Sequence, residues 1–332
     1  MPKFSIIVPV YNRPDEVADL MQSLAAQTAK PFEVIIVEDG STIPCRESVE
    51  RYADSVDARY YYKDNEGRSI ARNYGIERSS GEYLIFFDSD CVIPPRYFET
   101  LDRCLREQPL DCFGGPDAAA DNFSDTQKAI SFAMTSFITT GGIRGGKVQM
   151  EKFVPRSFNM GYSRAVYDKV GGFREMFSED IDMSTRIRQA GFTTGLLRDC
   201  YVYHKRRIDM ARFWRQVHVF GMSRITLKQL YPGSLKLVHT LPAIAVLCGI
   251  ACVLLAIFVS WWWLLPIALY LLALLVTALC TTRSLKVALL AVPAGITQIA
   301  GYGTGFLRAY VYQILLGHGR DLDNEIKMRK GK

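Results

Sequence analysis

The stretch Tyr83-Leu84-Ile85-Phe86-Phe87-Asp88-Ser89-Asp90 decides how this chain folds. Its apolar run is too short for a helix and reads as a strand buried on both faces. The strand stops on two carboxylates at i and i+2, which reach one point at a sheet edge. The pattern recurs upstream. Residues 4–10 (FSIIVPV) run into Tyr11-Asn12-Arg13, and residues 33–37 (EVIIV) end at Glu38-Asp39-Gly40-Ser41. Residues 59–62 (RYYY) make a further strand. Between the strands, Asp15–Gln27 has helical spacing, with Val17, Leu20, Met21 and Leu24 on one face. Residues 46–55 and 67–79 also read as helices. Alternating strands and helices predict βαβ units and a parallel sheet with helices on both faces. In such sheets ligands bind beyond the carboxyl ends of the strands, where the three clusters stand.

Further along, residues 110–156 carry no clear period, and Gly114-Gly115-Pro116, Gly141-Gly142 and Gly145-Gly146 read as loops. Residues 163–191 return to helix, turn, helix, and Cys200–Tyr203 is strand-like. Residues 203–236 then carry Lys205, Arg206, Arg207, Arg212, Arg215, Arg224, Lys228 and Lys236 against the single acid Asp209. Met210, Phe213, Trp214, Val217 and Phe220 are interleaved, which predicts a basic amphipathic helix on an anionic bilayer.

Residues 237–282 contain no Asp, Glu, Lys or Arg over 46 positions. At ~1.5 Å per residue this is about 69 Å, enough for two crossings of a ~30 Å hydrocarbon core. Spans are expected at about 238–259 and 262–281, with Trp261-Trp262-Trp263 as an interfacial turn between them. Residues 287–307 are long enough for a third span or for an interfacial or re-entrant helix. Gly301 and Gly305 carry G-x-x-x-G spacing. Overall, 49% apolar and 22% charged residues exclude a disordered chain, and the net charge of +6 suits a membrane surface or a phosphate-bearing substrate. None of the eight cysteines has C-x-x-C or zinc spacing, which fits reduced thiols. Met1-Pro2-Lys3-Phe4 lacks a long apolar leader, so the first half is expected in the cytoplasm.

Chemistry enters through the acids. Asp88 and Asp90 offer hard oxygen ligands suited to Mg²⁺ or Mn²⁺, which would neutralise a diphosphate. Glu38 and Asp39 can accept from a ribose hydroxyl or a base N–H. Arg68 and Arg72 share one helix face at i, i+4, and either can pair with a diphosphate. The run Ser178-Glu179-Asp180-Ile181-Asp182 opens a helix and reads either as a cap or as the source of a general base. His204 reads as a packed histidine or as part of a metal shell. No Walker-type phosphate loop is present, and no nucleic-acid-binding module is found.

Taken in order, Ser5-Ile6-Ile7-Val8-Pro9-Val10-Tyr11-Asn12, Val37-Glu38-Asp39-Gly40-Ser41, Asn65 through Gly75 (NEGRSIARNYG), Asp88-Ser89-Asp90, Gly171-Gly172-Phe173 with Glu175, and Glu179-Asp180 with Arg186 resemble the motifs of inverting family 2 glycosyltransferases. The resemblance covers roughly residues 4–225. It implies a GT-A fold, Rossmann-like, with a mixed central sheet and helices on both faces, followed here by C-terminal transmembrane helices. The implied division is a nucleotide-sugar half (1–110), an acceptor and catalytic half (111–202), a basic interfacial segment (203–236), a membrane region (237–316) and a charged tail (317–332).

By the same resemblance, Pro9, Tyr11, Glu38 and Asp39 line the base and ribose pocket, and Arg68 or Arg72 approaches the nucleotide. Asp88 and Asp90 form the D-x-D, with His204 joining the metal, and Asp180 is the general base. Glu38 departs from the usual Asp. The Q-x-x-R-W signature of processive synthases is missing, so one sugar is expected to move per turnover. The expected donor is a nucleotide-diphosphate sugar, UDP-linked by preference, and the acceptor a membrane-associated, lipid-linked glycan in cell-surface polysaccharide synthesis. The expected location is the inner membrane with the catalytic domain in the cytoplasm. The competing readings are a processive polysaccharide synthase and a non-catalytic, membrane-anchored nucleotide-sugar-binding protein.

Overall fold

A computed structural model of the chain describes residues 3–118, 124–141, 153–204 and 209–318. These fall into two units, one formed by 3–118 with 153–204 and the other by 124–141 with 209–318. Residues 124–141 pack with the second unit, so the contact pattern divides the expected 111–202 segment.

The first unit opens with β1 (Phe4–Val10), α1 (Pro14–Ala25), β2 (Phe32–Asp39), α2 (Arg46–Glu50), β3 (Ala58–Lys63), α3 (Arg68–Glu77) and β4 (Tyr83–Phe87). It continues with β5 (Cys91–Val92), α4 (Tyr97–Glu107), β6 (Cys112–Gly114) and β7 (Asp117–Ala118). The second unit contributes α5 (Asp125–Thr135) and α6 (Phe137–Thr140) before the chain returns to the first with β8 (Asn159–Ser163), α7 (Arg164–Val170), α8 (Glu179–Gln189), β9 (Thr194–Leu196) and β10 (Val202–His204). The helix expected over 46–55 ends at Glu50, and residues 51–55 continue as turns.

Seven strands form one sheet in the order β3-β2-β1-β4-β8-β6-β9. The first four are parallel, with Ile6 opposite both Val34 and Ile85. β8 runs antiparallel to β4 and β6, which makes the sheet mixed, as the resemblance implied. Alternation along each strand splits the core between two faces. Ile6, Val8, Val34 and Ile36 pack with Leu20 and Met21 of α1 and Phe98 and Leu101 of α4. Ile7, Ile35, Val37 and Phe86 pack with Ala71 and Ile76 of α3 and Met183 and Ile187 of α8. Each fully buried side chain of this size contributes roughly 1.5–3 kcal/mol, so both helical layers are held by burial rather than by local propensity. A second sheet, β5-β10-β7, sets His204 of β10 opposite Cys91, the residue after Asp90.

The second unit is helical. After α9 (Met210–Leu230) come α10 (Leu237–Phe258), a 3₁₀ turn at Trp261–Leu264, α11 (Leu265–Thr282), α12 (Leu285–Ala309) and a π-helical turn at Tyr310–Leu315. Among the described residues, three helical segments, Leu237–Phe258, Trp261–Thr282 and Leu285–Leu315, are long and apolar enough to cross a membrane. The first two keep broad apolar surfaces exposed, the surface a hydrocarbon phase would cover, and Trp261 and Trp262 stack at the turn between them.

α12 differs, because α9 packs along it. A Cβ on Gly221 of α9 would stand 2.0 Å from the Tyr302 carbonyl oxygen, and one on Gly305 would stand 2.0 Å from that of His218. Only glycine lets the two backbones come this close. Within the expected interfacial segment 203–236, Met210–Leu230 is helical as α9, with Phe213, Val217 and Gly221 buried and Arg212 and Arg215 exposed. Lys205, Arg206 and Arg207 lie outside the described residues, as do Gly142, Gly145 and Gly146 of the glycine-rich loop and residues 319–332 of the tail.

Candidate active site

Three strand ends and the start of α8 bring the acids and arginines together. Asp88 follows the last residue of β4, whose buried run Leu84–Phe87 fixes where the carboxylate emerges. Across from it stands Arg72 of α3, wholly buried. Arg72 Nη2 donates to Asp88 Oδ1 at 2.9 Å, and its Nη1 donates to Glu179 Oε1 at 2.8 Å. Arg68, one turn earlier on α3, lays its Nε 2.8 Å from Glu179 Oε1 and donates from Nη2 to Oε2 at 2.9 Å. One guanidinium thus joins the end of β4 to the first turn of α8. Charge-assisted pairs of this kind are about twice as strong as neutral hydrogen bonds, and burial removes the competing water.

Burial pushes the Glu179 carboxyl upward, but the Arg68 and Arg72 guanidiniums more than offset that and hold it at about 2. Glu179 in turn, against the opposing effect of burial and with help from Asp88 and Asp180, raises the Arg68 pKa. Asp88 and Asp180 therefore both lie within the field of Arg68. Its Oδ1 accepts from the Ile181 amide at 2.8 Å, and its Oδ2 stands 3.6 Å from Arg156 Nη1. Further along α8, Asp182 is buried against Arg186 at 2.9 Å and Arg174 at 3.3 Å. Arg186 also donates to the Val170 and Gly172 carbonyls, and Asn73 clamps Phe173 by donating to its carbonyl and accepting from its amide, each at 2.8 Å. These contacts fix α8 against α3.

Glu38 and Asp39 leave β2 on opposite faces, as strand alternation requires. Glu38 is buried, and its Oε2 accepts from the Cys45 amide at 2.7 Å and the Tyr60 hydroxyl at 2.9 Å. Asp39 accepts from the Glu66 and Gly67 amides at 3.0 and 2.8 Å and pairs with Lys63 at 3.0 Å. Its charge therefore sits at the N-terminus of α3, where the helix dipole favours an anion. Gly40, with φ +71°, permits the close pass of Asn65, whose amide nitrogen would lie 2.5 Å from a Cβ at position 40. Pro9 and Tyr11 stand at the end of β1, and Tyr11 is exposed. Asn12 accepts from the Thr42 and Ile43 amides at 2.8 and 3.0 Å, tying the loops after β1 and β2 together.

Asp90 closes the turn that leads from β4 into β5. Burial first, then the charges of Asp90, Asp88 and Asp117, raises the neighbouring Cys91 thiol far above its ordinary range, which brings Asp117 of β7 into the acidic surroundings. The His204 side chain lies outside the described residues. Among the described residues no group of three or more His, Cys, Asp or Glu side chains is gathered as a metal cluster. Sequence reasoning did not single out Arg156 or Asp117, which sit in the stretch without a period. It also gave Glu179 no role beyond the motif, since Arg68 precedes it by 111 positions.

Residues 5–171, half of the chain, match the family described as Glycosyl transferase family 2, and the chain belongs to that family. The uncharacterized glycosyltransferase YibD of Escherichia coli (strain K12) is 40% identical over 110 residues, 33% of this chain and 32% of that protein. Glycosyltransferase GlyA of Streptococcus pneumoniae serotype 4 is 38% identical over 111 residues, 33% of this chain and 16% of that protein. The chain thus spans a third or less of the length of these relatives. The mannosyltransferase PcManGT from Pyrobaculum calidifontis, solved with GDP-Man and Mn²⁺, superposes with a TM-score of 0.55 at 17% identity, covering 95% of this chain and 88% of that one. At that identity the likeness establishes the GT-A fold.

Proposed function

We propose that this chain transfers one sugar, with inversion, from a nucleotide-diphosphate sugar to a hydroxyl of a membrane-associated, lipid-linked glycan. The observation that carries the reading is Arg72, which joins Asp88 at the end of β4 to Glu179 beside Asp180. In this reading the acceptor hydroxyl attacks the anomeric carbon and Asp180 takes its proton. The bond to the departing diphosphate breaks with its electron pair, and one displacement inverts the centre without a protein nucleophile. Arg68, half exposed, suits the growing phosphate charge better than Arg72, whose two outer nitrogens are already committed.

Asp88 and Asp90 supply hard oxygen donors of the kind Mg²⁺ or Mn²⁺ takes, and the family resemblance adds His204 to them. Held there, the cation would neutralise the diphosphate of the leaving group. Pro9, Tyr11, Glu38 and Asp39 are assigned to the base and ribose side of the same sheet edge. Glu38 and Asp39 would act largely by shaping the loops they already hold. The apolar helices and the exposed arginines of α9 support an acceptor presented at an anionic inner-membrane surface, with the catalytic unit in the cytoplasm.

Membranes containing the full chain test this with UDP-glucose, UDP-galactose, UDP-N-acetylglucosamine and GDP-mannose, the last because the fold neighbour carries it. We expect UDP or GDP release from one donor, lost on chelation with EDTA and restored by Mn²⁺. Release that ignores EDTA removes the metal from the scheme, and no release from any donor removes the transferase reading.

A further inference from the structure

We propose that Glu179 is a positioning residue: it ties the first turn of α8, which carries Asp180, to the Asp88 end of β4 through Arg72, and so sets where the base stands relative to the donor. The inference rests on reading Asp180 as the general base. Glu179 is 1% exposed, and both of its oxygens are engaged. An acid whose only task is to favour a helix N-terminus does so from the surface. Glu179 instead turns inward to two guanidiniums on α3. Arg72 cannot turn away from it either, because it is fully buried, its other arm holds Asp88, and the Phe173 ring lies 5.5 Å from its guanidinium carbon.

The backbone carries a second sign of the same constraint. Ser178, the residue before Glu179, has φ +59°, a left-handed conformation that a non-glycine residue adopts where its surroundings impose it. That joint aims the next two side chains in different directions. Among the described residues, Asp180 accepts from the amide of Ile181 on its own turn and makes a long contact to Arg156, with Arg68 in its field. Its placement therefore follows the backbone that Glu179 anchors. The charged groups around it are Arg156 from the segment before β8, Arg68 from α3 with Asp88 in the same field, Glu179 beside it, and Asp182, which Arg174 and Arg186 neutralise.

The test is Glu179→Gln in the full chain, in membranes, with the four donors named above. A misplaced base costs rate more than binding, so kcat is expected to fall about 100-fold while donor KM moves less than about threefold. Glu179→Asp keeps the charge facing Arg68 and Arg72 on a shorter arm, so a smaller fall in kcat with donor KM unmoved is expected, which keeps the idea testable if Glu179→Gln does not fold. An unchanged kcat in Glu179→Gln overturns the inference, as does a fall matched by lost folded protein.

If wild-type membranes turn over none of the donors, the transferase reading fails on its own. Amide exchange then decides this inference. Glu179→Gln must speed exchange at Ile181 and Asp182 about tenfold while the sheet stays protected, and unchanged exchange there overturns it.

Discussion

Asp180→Asn is expected to remove sugar transfer while donor binding persists. The amide keeps the shape of the carboxylate and can still accept from the Ile181 amide at 2.8 Å, so the first turn of α8 has no reason to move. It cannot accept the proton of an attacking hydroxyl. General-base catalysis is typically worth 10²–10⁴-fold, so kcat should fall by about that range. Donor affinity, measured by equilibrium binding of the nucleotide sugar that the screen identifies, should stay within roughly threefold. Loss of donor binding in step with turnover would refute the assignment of Asp180 as base. An active Asp180→Asn chain would move the base elsewhere on α8.

The second large effect is on stability. Arg72→Met retains the volume of the buried side chain but leaves Glu179, which is 1% exposed, with Arg68 as its remaining cationic partner among the described residues, and it releases Asp88. Breaking a buried pair by removing one member typically costs ~3–5 kcal/mol, because the remaining charge is left in the interior. Arg68→Met removes a half-exposed arm, and surface pairs contribute ~0–1 kcal/mol. The melting temperature in detergent should therefore drop by about 10 °C or more for Arg72→Met and only slightly for Arg68→Met. Equal losses would mean that Arg72 is not the keystone the geometry makes it.

The wild-type network carries a pH dependence of defined sign. Glu179 sits at about 2 when folded against an ordinary 4.5, so its contribution is complete above that ordinary value and is lost as pH falls from about 4.5 toward 2.

Local pattern was enough for much of the fold. The apolar runs 4–10 and 83–87 coincide with β1 and β4, and the uncharged stretch after Lys236 forms α10 and α11 within three residues of the expected spans. These features depend on neighbours in sequence, through strand alternation, helical spacing and the length of an apolar run. The short strands β6, β7 and β9 escaped notice because two or three residues carry no period. The packing of α5 against α12 was equally invisible, since an amphipathic stretch does not say which partner covers it.

At the site, the D-x-D and the Glu-Asp pair were recognisable, but the bond that joins them was not. Arg72 meets Asp88 and Glu179 at separations of 16 and 107 positions, which only the folded sheet can close. Glu38 and Asp39 show the opposite limit. Adjacent in sequence, they serve different loops because successive residues of a strand face apart.

The insertion of α5 and α6 between β7 and β8 bears on how the molecule can be divided. Ala129 and Phe132 of α5 pack with Val287, Ala288 and Ala291 of α12. A fragment ending at residue 204 would retain the first helices without the second, and so would carry a bare greasy strip into water. A detergent-free catalytic fragment therefore calls for excising 119–152 as well, with a short linker bridging Ala118 to Phe153.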